Sequence, residues 1–322
     1  MIKILADSTC DLSDEVLKQY NIEIAPLTIT VGDKVYKDRI DIQPDDFYKM
    51  LISMDKLPTT AMPSPTEFFK IIENNMKEGY DEFLCICMSS GTSGSYQSAT
   101  IARDYFYDSY PEADIKIHIV DSKSMSHGSG YLIMKSARLL EKGATFQELI
   151  DFNETYKTNV KHFLSVDDLD NLIKSGRLTN ASAMIGKLLK IKPIMSMRKG
   201  KGAIVAKERG HKRVLAHYIS EFNKRVDMAL TTFMILGYTS DKAVAENLKT
   251  RIYQETEFEG EIFIMQMGVS VGTHVGLGGL SMYFIEQGDR HDGLVYNEMN
   301  ALLKKKDEMV NMLNKYNMLN KK

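Results

Sequence analysis

Three short apolar stretches in the first 130 residues each run into a turn of small polar residues and then into a helical pattern. They are residues 2–6, 83–88 and 115–120. Repeated strand and helix units of this kind predict a parallel sheet with helices on both faces. Parallel strands bring their carboxyl ends to one edge of the sheet, where such folds bind ligands. We therefore expect the three polar turns to lie together at that edge.

The second turn, residues 89–95, is the strongest candidate for a binding site. A strand that runs through a short loop into a helix aims free backbone N–H groups and the positive end of the helix dipole at one point. Four hydroxyl side chains are able to donate to an anion there, namely Ser90, Thr92, Ser93 and Ser95. Gly94 lets a ligand approach the backbone, and no lysine follows it as in a phosphate-binding G-x-x-x-x-G-K-[ST] loop. The loop suits a carboxylate, or a phosphate whose charge is met elsewhere, unless it is an ordinary turn.

The second half of the chain follows a different pattern. Strands are predicted at residues 162–166, 192–197, 203–207, 232–238, 261–268 and 281–285, and helices at 181–190, 212–224 and 241–253. A tight turn at residues 199–202 joins two strands, so at least one pair is antiparallel. We predict an α/β protein with an N-terminal parallel-sheet domain over residues 1–158, a smaller mixed α/β domain over 159–288 and a helical tail over 289–322.

Composition and charge exclude several classes of protein. The 322 residues carry a formal net charge of −2, which gives no electrostatic footprint for nucleic acid. No apolar run approaches the roughly 20 residues that span a bilayer, so stable membrane insertion is not expected. Cys10, Cys85 and Cys87 form no metal-like cluster and suit a reducing compartment. We expect a cytoplasmic protein without a metal or cofactor.

Residues outside the serine and glycine loop also stand out. His274 is surrounded by four glycines in VSVGTHVGLGGL, so we expect its imidazole near a cleft rather than inside a helix. Arg177 follows an amphipathic segment and is able to pair with a carboxylate, either in a site or at the surface. Arg209 belongs to the basic run of residues 207–213, which is typical of a solvated turn and helix start or of a contact with an acidic partner. Residues 57–65 hold three prolines and two threonines, a composition that excludes regular structure.

Two classes of function fit these residues. The run from Gly91 to Ser95 is one residue short of the G-x-S-x-G nucleophile elbow of a serine hydrolase. Ser93 would be the nucleophile and His274 the base, within hydrogen-bond reach of each other. The acid behind the base would be an aspartate such as Asp167 or Asp170. A binding protein requires only convergent donors beside an apolar cavity.

Seven segments, taken in order, resemble the successive signatures of the DegV family, which includes the fatty-acid-binding subunits of bacterial fatty acid kinase. They are ADSTCDL, PTTAMPSPTEF, SSGTSGSYQSA, VDSKSMSHGSG, SGRL, KPIMSMRKGKGAI and GTHVGLGG, over about residues 1–288. The resemblance implies a two-domain α/β protein that holds one long-chain fatty acid in a tunnel between its sheets. It also implies a partner, a kinase subunit of the dihydroxyacetone-kinase type that converts the carboxylate to an acyl phosphate. This chain itself would catalyse nothing.

Carried over residue by residue, the resemblance implies a carboxylate site. Ser93 and Gly94, at a helix N-terminus, and Thr60, in the proline-rich stretch, would bind the fatty-acid carboxylate. His274 would complete this polar cluster, and Arg177 would order it from behind.

The resemblance further implies that Arg209 lies in a basic patch that docks the kinase. Two features depart from the family. Its proline-rich stretch usually has T-S-Q-P, whereas this chain has Thr60-Ala61-Met62-Pro63 and so loses a hydroxyl and an amide at the rim of the site. The tail beyond about residue 289 exceeds the usual family length.

Overall fold

The computed structural model describes residues 1–54, 56–178 and 191–288. The strands are β1 Ile2–Asp7, β2 Glu23–Ala25, β3 Thr28–Val31, β4 Lys34–Lys37, β5 Thr59–Ala61, β6 Glu82–Cys87, β7 Lys116–Asp121, β8 Val160–Ser165, β9 Ile191–Arg198, β10 Lys201–Arg209, β11 Phe233–Tyr238, β12 Glu261–Gln266 and β13 Leu280–Ile285. The helices are α1 Asp14–Gln19, α2 Pro44–Leu51, α3 Pro65–Lys77, α4 Ser95–Ser109, α5 His127–Glu141, α6 Phe146–Tyr156, α7 Asp170–Lys174, α8 His211–Arg225, α9 Lys242–Glu255 and α10 Val269–Val275. The helix predicted at 181–190 and the tail predicted at 289–322 lie outside the described residues.

Two large sheets confirm the predicted α/β class. The first has the strand order β2-β1-β6-β7 and is parallel throughout, as the repeated strand and helix units predict. The second has the order β10-β9-β8-β13-β11-β12, in which β11 and β12 are parallel and the other pairs antiparallel. The antiparallel pairing of β9 with β10 confirms the predicted turn. The C-terminal half has fewer residues but carries the larger sheet.

Helix α5 lies between the two sheets and packs against both. Leu132 belongs to one buried cluster with Ile4 and Leu84 of the first sheet and with Phe233 and Ile285 of the second. Helices α3 and α4 cover the outer face of the first sheet, and α8 and α9 cover the outer face of the second. The two halves therefore share a buried layer, and the division of the chain at residue 158 stays a prediction.

Residues 57–65 contain a strand, so the expectation that this stretch excludes regular structure is wrong. β5 pairs antiparallel with β3, with Thr60 opposite Ile29, at the edge of a small sheet of order β4-β3-β5. Pro58 and Pro63 lie outside the strand, so its own residues keep the N–H groups that pairing needs. The pairing holds Thr60 in a defined position.

The small sheet starts after Pro26, which separates β2 from β3. β2, before the proline, joins the parallel sheet, and β3, after it, turns into the small sheet. Proline lacks the N–H that a continuous ladder would require. Ile29 of β3 and Phe47 and Tyr48 of α2 then form a buried cluster with Val269, at the start of α10. The small sheet and α2 thereby hold α10 in place.

Replacement of Leu132 by Ala tests the shared layer. The side chain is fully buried in α5, and its truncation should lower the free energy of unfolding by about 2 to 5 kcal/mol, through lost burial and the cavity that remains. Leu57→Ala, the same change at a side chain that is 37% exposed, should cost less than about 1 kcal/mol. Urea unfolding of both variants provides the measurement, and equal losses would contradict the packing described for α5.

Candidate functional site

A cavity of about 260 Å³ lies between the two halves of the chain. Thr9, Met88 and Met125, which follow β1, β6 and β7, belong to its wall, so the cavity opens at the predicted edge of the parallel sheet. The other apolar side chains of the wall are Leu27, Met62, Leu164, Leu172, Met267, Val271 and Val275. An apolar cavity with a few polar groups in its wall is the usual form of a small-molecule site.

Hydrogen bonds join the three polar turns at this edge, as predicted. The Asp7 carboxylate accepts from the backbone N–H of Met88 at 2.9 Å, and Asp121 accepts from that of Ser90 at 3.0 Å. Burial raises the pKa of Asp7. Burial also opposes the charge of Asp121, but hydrogen bonds from Lys123 and Ser90 bring its pKa below the ordinary value. The two carboxylates thus fix the loop over residues 89–95.

Most polar groups of that loop are used internally, so the expectation of four hydroxyl donors and free N–H groups is wrong. The Ser90 hydroxyl donates to a carboxylate of the next turn, and the Thr92 hydroxyl donates to the Ser89 carbonyl at 3.0 Å. The N–H groups of Thr92 and Ser93 also donate to that carbonyl. Short hydroxyl side chains readily bond to nearby backbone in this way. Ser93, which lies 2.9 Å from the Ser95 hydroxyl, and Thr92 line the cavity.

Gly94 caps the N-terminus of α4 and lines the cavity beside Ser93. A Cβ atom at this position would lie 2.1 Å from the sulfur of Met62, so a larger residue would displace the Met62 side chain. Met62 follows β5, and the proline-rich stretch therefore packs directly on the start of α4. This contact brings Thr60 and Ser93 to the same wall.

His274 lies in the last turn of α10, so the expectation that it lies outside a helix is wrong. Its Nε2 atom is 2.9 Å from the Thr60 hydroxyl oxygen. Gly272, within the helix, serves close packing, because a Cβ there would lie 2.4 Å from the Tyr48 hydroxyl. Gly276, with a φ of +76°, ends the helix. The glycines around His274 indicate an open loop in the sequence. In the structure, one of them allows close packing and another ends the helix.

Burial lowers the pKa of His274 to about 4, and the positive charge of Arg177 lowers it as well. The imidazole is therefore neutral at pH 7. Its Nδ1 atom has no hydrogen-bond partner among the described residues. Arg177 follows α7 and lines the same cavity. The wall therefore combines the positive charge of Arg177 with the neutral imidazole of His274, which has one donor and one acceptor nitrogen.

The four residues predicted to bind the carboxylate all line the cavity: Thr60, Ser93, Gly94 and His274. Arg177, which was expected behind them, also lines the cavity. Arg209 is not in this wall but is exposed at the end of β10. The basic run predicted as a solvated turn divides there, because its first residues end the strand and Gly210 caps α8. The roles of these residues stay predictions.

The described residues do not supply the acid of a serine hydrolase. Asp167 pairs with Lys192, and Asp170 lies 3.8 Å from Lys174. Neither aspartate contacts His274, whose Nε2 atom is occupied by Thr60. The arrangement can hold an anion but lacks the relay that activates a serine.

Sequence reasoning missed a second polar part of the wall. Ser126, His162 and Tyr283 also line the cavity. His162 follows the two-residue period of a buried strand, with Val160 and Leu164 on the same face. A histidine on such an apolar face is the signal that could have identified this part of the wall.

Residues 1–54, 56–178 and 191–288 contain no group of three or more His, Cys, Asp or Glu side chains arranged to hold a metal ion. Within the same ranges, no helix has the length and apolar character needed to cross a membrane.

The similarity of this chain to known proteins extends over both halves of the fold. A family model described as "Uncharacterised protein, DegV family" matches residues 1–287. A DegV domain-containing protein of Clostridium acetobutylicum is 35% identical over 288 residues, which are 89% of this chain and 99% of the relative. The structure of DegV from Bacillus subtilis, described as a fatty acid binding protein, is 26% identical with a TM-score of 0.77, over 89% of this chain and 99% of that one. A Thermotoga maritima protein described as having a fatty acid binding function is 27% identical with a TM-score of 0.76, over the same shares.

The buried state of His274 predicts a pH dependence of stability. Because its pKa is about 4 when folded and 6.5 ordinarily, the unfolded chain takes up the proton first, and the free energy of unfolding falls as the pH drops from about 7 to about 4. His274→Gln should remove about 2 kcal/mol of this fall between about pH 7.5 and about pH 5. Urea unfolding at both pH values measures the difference, with His211→Gln, an exposed position, as control. An unchanged pH dependence in His274→Gln would contradict the buried neutral imidazole.

Proposed function

The chain belongs to the DegV family, and from that premise we propose that it is a non-catalytic carrier that binds one long-chain fatty acid in the cavity between its sheets. The observation that carries the proposal is the convergence of Thr60, Ser93, Gly94, Arg177 and His274 on one wall of an apolar cavity. The fatty acid binding described for the Bacillus subtilis and Thermotoga maritima proteins supports the same ligand.

The polar wall suits a carboxylate. With its proton on Nε2, the neutral His274 donates to the Thr60 oxygen, which frees the Thr60 hydroxyl proton for a carboxylate oxygen. Ser93 donates to the same carboxylate from the start of α4, where the helix dipole favours negative charge. Arg177 supplies the opposite charge that makes burial of a carboxylate tolerable.

The remainder of the wall suits an alkyl chain. Leu164, Leu172, Val271 and Val275 are buried, and each methylene group placed among them contributes about 0.8 kcal/mol. Four methionines also belong to the wall, namely Met62, Met88, Met125 and Met267. Methionine is flexible and polarizable, so these side chains allow the cavity to adjust to the shape of the chain.

Substitutions at the carboxylate wall test the proposal. Ser93→Ala and Thr60→Ala each remove a charge-assisted hydrogen bond and should weaken binding of stearic acid by about 1.5 to 3 kcal/mol. Native mass spectrometry identifies any acid that purifies with the protein and, by titration, measures affinity. Ser109→Ala and Thr66→Ala, both at exposed positions, are the matched controls. Unchanged affinity in both wall variants would refute the carboxylate site.

We further propose that the carrier presents the carboxylate to a separate kinase subunit of the dihydroxyacetone-kinase type, which forms the acyl phosphate for lipid metabolism. Arg209, exposed at the end of the edge strand β10, is positioned to contact an acidic surface of that kinase. We place the system in the cytoplasm, and the three free, buried cysteines fit a reducing compartment.

Reversal of the charge at Arg209 tests the docking proposal. Arg209→Glu should lower the rate of acyl phosphate formation by the kinase about tenfold or more, because it places like charges across the interface. The affinity for stearic acid should stay at the wild-type value. Lys242→Glu, an equal charge change at an exposed position on α9, is the control. If Arg209→Glu impaired lipid binding as strongly as turnover, the residue would have a structural role instead.

A further inference from the structure

Part of the cavity wall is polar where a site for a plain alkyl chain would be apolar. His162 of β8 lies directly opposite Tyr283 of β13, and their rings meet edge to face at 5.5 Å. Both side chains line the cavity together with Ser126, at the N-cap of α5. We call these three residues the floor cluster.

The next pair along the same two strands shows that the fold does not require polar residues here. Val160 lies opposite Ile285, on the same face of the sheet, and both belong to the apolar cluster that contains Ile235. At this pair the face is therefore aliphatic, and neither residue lines the cavity. The floor cluster separates this closed core from the cavity.

His162 is the member of the floor cluster whose polar atoms lack hydrogen-bond partners. It is 4% exposed, and neither Nδ1 nor Nε2 has a hydrogen-bond partner among the described residues. Burial lowers its pKa to about 3, so the ring is neutral and presents one donor and one acceptor. Buried polar groups are normally paired, because an unpaired one forfeits its hydration. The cavity is the space from which a partner can reach this ring.

Packing around His162 restricts what that partner can be. A Cβ atom on Gly128 would lie 3.0 Å from Nδ1, so the first turn of α5 closes one side of the ring. The Ser126 hydroxyl donates to the Asp11 carboxyl group at 2.5 Å. A charged ligand group would face the neutral floor cluster without a counter-charge, whereas a hydroxyl group can both donate to and accept from it.

We propose that the preferred ligand is a fatty acid with a hydroxyl group on its alkyl chain, held by a hydrogen bond to His162. This proposal rests on the proposed function, since the carboxylate remains at Thr60, Ser93 and His274. The hydroxyl group satisfies a buried imidazole that an unsubstituted chain leaves unpaired. The site then selects a ligand whose carboxylate and hydroxyl group are separated by a set distance.

Paired affinities for stearic acid and for a set of hydroxystearic acids that differ in hydroxyl position test the proposal. The wild-type protein should bind one positional isomer about tenfold more tightly than stearic acid, the effect of one buried hydrogen bond. His162→Leu should reverse this order, because it binds stearic acid more tightly and the hydroxy acid less tightly. His162→Gln, which keeps a donor and an acceptor, should retain the wild-type preference.

The outcomes separate this inference from the proposed function. A protein that binds stearic acid, but prefers no hydroxy isomer, overturns the inference and leaves the carrier function in place. A preference that survives in His162→Leu also overturns it. Binding of neither acid overturns both proposals. Because a misfolded variant would lose affinity for both acids, only a reversed preference supports the role of His162.

Discussion

The hydrogen bond between Thr60 and His274 joins residues that are 214 positions apart and sets the geometry of the cavity wall. It forms because β5 adds to the edge of a small sheet and α10 packs beneath that sheet. The Tyr48 hydroxyl donates to the Met267 carbonyl at 3.0 Å and holds the approach to α10. Without this packing, Thr60 would lie on a loop, and His274 would not line the same cavity as Ser93.

The same packing creates a cavity whose wall carries polar side chains among apolar ones. A buried polar atom is stabilised only when it is paired, so each polar residue in an otherwise apolar wall marks a place where a ligand group is expected. Arg177 and His274 mark one such place, and the floor cluster marks another. Methylene groups of a ligand gain affinity against the apolar part of the wall, while the polar groups determine which molecule fits.

Local sequence signals predicted the elements of the fold well, because their causes are local. Ser13 and Ser64 cap α1 and α3, and Pro44 begins α2, positions that these residue types favour at helix starts. Some of the predictions that were wrong depended on contacts distant in sequence. The glycines around His274 indicated a loop, but the close approach of Tyr48 to Gly272 is what requires glycine there. The hydroxyl groups of the serine and glycine loop were expected to face a ligand, but several bond within the loop or to Asp121.

The sequence by itself determined the repeated strand and helix units, the edge at which their polar turns meet and the family to which the chain belongs. Those features follow from residue periodicity, caps and short motifs, which act over a few residues. Only the tertiary structure decided that Thr60 meets His274, that Met62 covers Gly94 and that His162 lies buried at the cavity wall. Each of these depends on how sheets and helices from different parts of the chain pack, and no local pattern encodes that packing.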